Sequence, residues 1–211
     1  MIRSTVFAGA LALAAPPPPS QDRVAPDEAR AIAEEGYVFG YPLVLMDLTR
    51  QRMTGVSTPS GAGAPINQFD HKLKFPDASF TDVVNPNADM LYSSAWLDLS
   101  QEPIVLSVPD TDGRYYLMPL LDAWTNVFAS LGKRTTGTGK AEFALCGPAW
   151  KGSVPGSVHE LRAPTDMVWL IGRTHTTGAQ DVEAVRAIQD GYKLTSLSRW
   201  GKSYQPRSVP A

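Results

Sequence analysis

The chain has 211 residues, 43% hydrophobic and 19% charged, and its 19 Lys and Arg against 21 Asp and Glu give a formal net charge of −2 at pH 7. A chain of this composition can bury a hydrophobic core. The sequence has no basic stripe of the kind that nucleic-acid-binding proteins use to contact phosphates. One cysteine, Cys146, excludes an internal disulfide, and its apolar neighbours indicate a small buried residue rather than a nucleophile.

The N-terminus has the order of a secretory signal peptide. Residues 1–3 are a short positive region, residues 4–15 are uncharged and mostly apolar, and residues 12–14 (Ala-Leu-Ala) form a small-x-small cleavage site. This apolar stretch is too short to span a bilayer. We therefore predict a signal peptide over residues 1–14, a Pro-rich linker over 15–24, and a periplasmic or secreted product with no transmembrane segment.

Two helices are predicted before the first strand. Pro26, Asp27 and Glu28 suit a first helical turn, and small and apolar residues follow at helical spacing. The sequence Gly40-Tyr41-Pro42 predicts a break or kink, with a second helix over residues 43–53. Together they form an N-terminal helical pair.

From about Leu91 the pattern becomes that of strands. Short apolar segments separated by turn signals predict strands over residues 92–99, 103–108, 114–121, 126–131, 141–146, 157–162 and 167–173. A C-terminal helix, capped by Asp181, has an apolar stripe at Val182, Val185, Ile188 and Tyr192. We predict a mainly β (α+β) fold, a sandwich with flanking helices, as a single domain over residues 25–200 with a disordered tail over 201–211.

The common catalytic signatures are absent from the sequence. It contains no Gly-x-Ser-x-Gly elbow and no His-Glu-x-x-His helix, and the glycine-rich stretch 132–140 does not match a phosphate loop. The three histidines, His71, His159 and His175, lack ligand spacing. We predict no metal site and no cofactor.

One polar cluster alternates along residues 85–89. Asn85, Asn87 and Asp89 would face the same way in an extended segment and could bind a hydroxyl, an amide or a hard cation. Met90 and Trp96 stand where a calcium loop needs Gly and Glu, which sets an EF-hand aside. The structural alternative is that these side chains satisfy backbone groups in a loop, and we give it greater weight.

A second cluster follows the predicted strand 114–121. Asp122, Trp124 and Asn126 alternate on one face, and this combination suits a carbohydrate or aromatic ligand. Alternatively, Trp124 anchors the core while Asp122 pairs with Arg114 or Arg134. The sequence favours neither interpretation.

Several spaced motifs, taken in order, resemble the bacterial DUF1254 family over about residues 26–197. They are Gly36-Tyr37-x-x-Gly40-Tyr41-Pro42, Asn85-x-Asn87-x-Asp89-x-Leu91-Tyr92-Ser93, Trp96-x-Asp98-Leu99-x-x-Glu102-Pro103, Arg114-Tyr115-Tyr116, Asp122-Ala123-Trp124-Thr125-Asn126, Gly147-Pro148-x-Trp150-x-Gly152 and Ile171-Gly172-Arg173-Thr174. The resemblance implies an immunoglobulin-like β-sandwich with helical additions, typically followed by a second, jelly-roll-like domain. It implies no activity. Met90 stands where the family usually has Thr.

These observations leave three functional hypotheses. The first is an exported ligand-binding or scaffolding module for an unknown small-molecule or envelope ligand, normally paired with the jelly-roll-like domain. The second is a hydrolase of an extracellular or envelope ester, amide or glycoside, with Asp89 and Asp122 as the acid–base pair. The third is a non-functional remnant of a longer protein. The predicted ligand-binding residues are Asn85, Asn87, Tyr92, Arg114, Trp124, Asn126 and Arg134.

Overall fold

The computed structural model describes residues 24–76, 79–81 and 87–202. The predicted signal peptide, nearly all of the predicted linker and most of the predicted tail lie outside these residues. The chain divides into two compact units, Met1–Val38 and Phe39–Ala211. The described part of the first unit is exposed and helical from Pro26 onwards.

Two α-helices and nine strands are present in the described residues. The helices are α1 (Pro26–Thr54) and α2 (Val182–Gln189). The strands are β1 (Asp70–His71), β2 (Met90–Asp98), β3 (Ile104–Val108), β4 (Tyr116–Leu121), β5 (Val127–Gly132), β6 (Ala141–Cys146), β7 (His159–Arg162), β8 (Met167–His175) and β9 (Lys193–Ser196).

The strands form two sheets that pack face to face. Sheet A has the order β1-β2-β8-β4-β5, and sheet B has the order β7-β6-β3-β9. Neighbouring strands are antiparallel except for the parallel pair β6–β7. Alternate residues of both sheets point inward and share one core, which includes Leu97, Met118 and Leu170 from sheet A and Leu106 and Leu145 from sheet B. The predicted α+β sandwich is confirmed.

A second apolar cluster covers the outer face of sheet B. Val105, Ala144 and Cys146 are fully buried there against Trp150 and Trp200 from the flanking segments. Burial raises the pKa of the Cys146 thiol, which disfavours the reactive thiolate. Cys146 is thus a small core residue, as its sequence neighbours indicated.

The predicted helical pair is wrong, because α1 is one continuous helix that contains Pro42. A proline inside a helix removes one backbone hydrogen bond, and packing of the surrounding turns can offset that loss. Within the second unit α1 lies on the outer face of sheet A. Met46 is buried, Met53 Sδ accepts a hydrogen bond from Trp96 Nε1 at 3.5 Å, and the ring of Phe39 lies 4.6 Å from that of Trp124.

The C-terminal helix is confirmed over Val182–Gln189. Tyr192 follows the helix rather than completing its stripe, and it is buried with its hydroxyl 3.0 Å from that of Thr174. Strand β9 comes next and was missed, since its four residues carry no clear strand pattern. Of the helices described, none is both long and apolar enough to cross a membrane.

Candidate functional site

The predicted site residues divide between the two ends of sheet A. Strand β8 pairs with β2 from Met90↔His175 to Asp98↔Met167, and with β4 from Tyr116↔Thr174 to Leu121↔Trp169. We call these the Met90 end and the Asp98 end. Asn87, Asp89, Tyr92, Arg114 and Arg134 lie towards the Met90 end, while Asp122, Trp124 and Asn126 lie at the Asp98 end.

The structure does not bring Asp89 and Asp122 together. The carbonyl of Asp89 accepts a hydrogen bond from the amide of Thr176, whereas Asp122 follows the residue that pairs with Trp169. Eight residues of strand β8 separate these levels, which is about 26 Å at 3.3 Å per residue. A glycosidase holds its two carboxyl groups within about 5–10 Å. The predicted acid–base pair is therefore not assembled.

Asp122 organises the turn between β4 and β5. The carboxylate is 5% exposed; its Oδ1 accepts hydrogen bonds from the amides of Trp124 and Asn126, both at 2.9 Å, and its Oδ2 accepts one from Asn126 Nδ2 at 3.2 Å. Thr125 has a φ of 69°, so the turn needs this support. The structural alternative paired Asp122 with Arg114 or Arg134, and neither arginine is its partner. The hydrogen bonds instead give Asp122 and Asn126 a structural role within the turn.

Near the Met90 end, Asn87 has a comparable turn role. Its side-chain Oδ1 accepts a hydrogen bond from the amide of Asp89 at 2.8 Å. The side chain of Asp89 is exposed. The predicted ligand residue Asn85 lies outside the described residues.

Arg114 is held in a clamp beside the same end. Its Nη2 donates to Asp181 Oδ1 at 2.8 Å, its Nη1 donates to Oδ2 at 2.5 Å, and Nη1 also donates to the carbonyl of His175. The hydrogen bonds from Arg114 hold the pKa of Asp181 far below its usual range. Arg114 therefore joins the start of β4 to the segment before α2, and its guanidinium is already occupied.

Three strands present a patch of side chains on the outer face of sheet A at the Met90 end. Tyr92, Arg173 and Leu117 form one row across β2, β8 and β4. Met90, His175 and Tyr115 form the next row, where the amide of His175 donates to the carbonyl of Tyr115 at 2.9 Å. All six residues are partly exposed. With Arg134, we call these residues the tyrosine–arginine patch.

Each tyrosine of the patch supports one arginine. The Arg173 guanidinium carbon lies 5.1 Å from the centroid of the Tyr92 ring, and that of Arg134 lies 5.5 Å from the Tyr115 ring. Arg173 also donates weakly to the carbonyl of Ile171 at 3.4 Å. Neither arginine forms an ion pair with any residue that the structure describes. Both retain donors for an anion.

Three residues of the patch, Arg173, His175 and Tyr115, were not among the candidates that the sequence pattern indicated. Arg173 and Tyr115 both stand in the family motifs, but the motif containing Tyr92 is about 80 residues away from Arg173 in sequence. The alternation of side chains along β8 could have indicated that Arg173 and His175 lie on the same face, because positions 171, 173 and 175 share the outer face of sheet A.

A separate polar cluster lies on the inner side of β1. His71 Nδ1 is 2.9 Å from Ser93 Oγ, and Gln189 Nε2 donates to the same hydroxyl at 3.2 Å. The cluster links β1, β2 and α2. Because Ser93 and Gln189 are fully buried, solvent does not reach the serine hydroxyl. Burial lowers the pKa of His71, and this effect exceeds that of the negative charges of Asp190 and Asp70, which raise it. In the described ranges no group of three or more His, Cys, Asp or Glu residues could hold a metal ion.

Comparison with known proteins identifies the family. The model of the family described as "Protein of unknown function (DUF1254)" matches residues 66–196, more than half of the chain. The chain belongs to the DUF1254 family. The matched region of this DUF1254 member includes every residue of the tyrosine–arginine patch. No curated protein matches the chain.

Two solved structures are similar to this DUF1254 member. The VPA0106 protein of Vibrio parahaemolyticus is 28% identical with a TM-score of 0.64, over 85% of this chain and 41% of its own. The chain thus spans less than half the length of that relative. An uncharacterized protein of Burkholderia cenocepacia is 13% identical with a TM-score of 0.39, over 63% of this chain and 36% of its own, which supports no inference.

Proposed function

We propose that this DUF1254 domain is a ligand-binding module whose binding surface is the tyrosine–arginine patch. The observation that supports this proposal is the pairing of Tyr92 with Arg173 on adjacent strands, which brings two separate family motifs together on one surface. A guanidinium stacked on an aromatic ring keeps its edge free for a planar anion. The ligand is therefore an anion, with a carboxylate as the simplest case.

A thermal-shift measurement with benzoate tests this proposal. Benzoate carries a ring and a carboxylate, and neutral benzamide is the matched control ligand. We expect benzoate to raise the melting temperature of the wild type and benzamide to leave it unchanged. Arg173→Gln should abolish the shift, whereas the control Arg52→Gln, at an exposed residue of α1, should retain it. Equal shifts for Arg173→Gln and the wild type would refute the assignment.

The module also acts as a scaffold for a second domain in this proposal. An apolar stripe of α1 comprises Tyr41, Val44, Leu45 and Leu48, each between 49% and 60% exposed. Four such residues at helical spacing form a docking face rather than scattered surface residues. The occupant that we propose is the additional chain that the Vibrio relative carries, since the match covers only 41% of that protein.

The solved Vibrio structure provides the test of this docking face. Its residues equivalent to the stripe should be buried against the part of the chain outside the match. Exposed residues there, or residues buried against a second copy, would contradict the proposal.

Export is the remaining part of the proposal, and its support is the order of charged, apolar and small residues over residues 1–14. Mass spectrometry of the C-terminally tagged protein from a periplasmic fraction should find Ala15 as the first residue. A cytoplasmic protein that retains residues 1–14 would contradict export.

A further inference from the structure

The geometry points to a more specific ligand class: an elongated molecule with anionic groups at both ends, bound across the patch between Arg173 and Arg134. This inference rests on the proposed binding function and adds a second contact point. The two arginine–tyrosine pairs are similar in geometry, with distances of 5.1 and 5.5 Å, yet they belong to different strands. Each pair can hold one anion.

The register fixes the separation of the two tyrosine backbones. Tyr92 stands on β2, Tyr115 directly precedes β4, and β8 lies between β2 and β4. Tyr92 is level with Arg173, and Tyr115 is level with His175 two residues further on. With about 4.8 Å between strands and about 3.3 Å per residue, the two tyrosine backbones lie about 12 Å apart.

Apolar side chains lie on either side of the diagonal that joins the pairs. The remaining corners of the two rows are Met90 and Leu117, and His175 lies between Met90 and Tyr115. Methylene groups can pack on these side chains while the ends reach the two guanidinium groups. An extended nine-carbon chain with C–C bonds of about 1.5 Å separates its terminal carbons by about 10 Å, close to the spacing of about 12 Å between the two tyrosine backbones.

The charges around the patch agree with an anionic ligand. Arg134 is exposed and Arg173 is partly exposed, and no described carboxylate pairs with either. Arg114, which precedes Tyr115 in sequence, is paired with Asp181 and so contributes little further positive charge. Asp89 is an exposed carboxylate at the start of β2, beside the row that contains Met90. It disfavours an anion placed at that corner and favours the diagonal that joins the two arginine–tyrosine pairs.

Titration calorimetry of the whole chain with nonanedioate tests the inference, and its monomethyl ester is the matched control with one charge. We expect the dianion to bind about tenfold or more tightly than the monoester, because the second contact is intramolecular. Pentanedioate, whose terminal carbons lie only about 5 Å apart, should bind no better than the monoester. Arg134→Gln should remove the advantage of nonanedioate, and Arg52→Gln should keep it. Heptane-1,7-bisphosphonate, titrated at the same pH, distinguishes a phosphorylated from a carboxylated ligand by whether it or nonanedioate binds more tightly.

The outcomes separate the two proposals. Equal affinities for nonanedioate and its monoester overturn two-point binding but leave the single anion site intact. An advantage of nonanedioate that survives Arg134→Gln also overturns it. Absence of binding by every one of these anions overturns the proposed function itself.

Discussion

Replacing Asp122 separates a structural from a ligand-binding role for the carboxylate. In the wild type it accepts two backbone hydrogen bonds at 2.9 Å and one side-chain hydrogen bond at 3.2 Å while 5% exposed. Hydrogen bonds to a charged group each contribute about 1.5–3 kcal/mol net, and water can replace part of the loss at Asn126, which is exposed although Asp122 is buried. We therefore expect Asp122→Ala to lower the free energy of unfolding by about 2–4 kcal/mol.

Asp122→Asn is the graded companion. Its carbonyl oxygen still accepts the two backbone hydrogen bonds, but its amide faces the amide of Asn126, so the cost falls to about 1 kcal/mol. Asp89→Asn is the matched control at an exposed carboxylate and should change stability by less than about 0.5 kcal/mol. Urea unfolding at constant slope measures all three. A loss below about 0.5 kcal/mol for Asp122→Ala would refute the assigned role.

Three further predictions concern the pH dependence and the backbone. Burial lowers the pKa of His71 below its ordinary 6.5, so the unfolded chain binds the proton more readily and the free energy of unfolding should fall as the pH drops below 6.5. Unfolding curves of His71→Gln measured between pH 5 and 8 should lack this fall. A pH profile equal to that of the wild type would contradict the prediction. Arg114 lowers the pKa of Asp181, so their ion pair should stabilise the fold above pH 3.8, and this stabilisation should be lost as the pH falls below 3.8. In Arg114→Met, the urea midpoint should therefore depend less on pH between pH 2 and 5 than in the wild type. An unchanged dependence would count against a stabilising role of the ion pair. Gly132 has a φ of 154°, and an added Cβ would lie 2.4 Å from the carbonyl oxygen of Tyr116. Gly132→Ala should therefore lower the free energy of unfolding by about 2 kcal/mol or more. A melting temperature equal to that of the wild type would be inconsistent with this geometry.

The strands were predictable because their signals are local. Ala141–Cys146 matches its predicted bounds, and β2 and β8 were correct within two residues at each end. Strand β1 has only two residues and depends on pairing with β2, so no local pattern could indicate it. The continuous helix through Pro42 is accompanied by burial of Met46 and by the contact of Met53 with Trp96 of sheet A, and proline rules do not include such tertiary contacts.

The site was only partly predictable, because its residues meet through strand order. The sequence pattern selected Tyr92 and Arg134 as candidates and placed Asp122 with Asp89, since both carboxylates stand in similar alternating polar segments. Only the antiparallel register shows that one lies at each end of sheet A. The same register brings Arg173 beside Tyr92 from about 80 positions away.

Amide chemical-shift mapping of the ¹⁵N-labelled chain with nonanedioate tests most directly where this protein binds its ligand. The tyrosine–arginine patch predicts that the largest perturbations fall on Tyr92, Leu117, Arg173 and His175. Trp124 and Asn126, at the opposite end of sheet A, should remain unperturbed. Largest perturbations at that opposite end, or no perturbation at either end, would contradict the account.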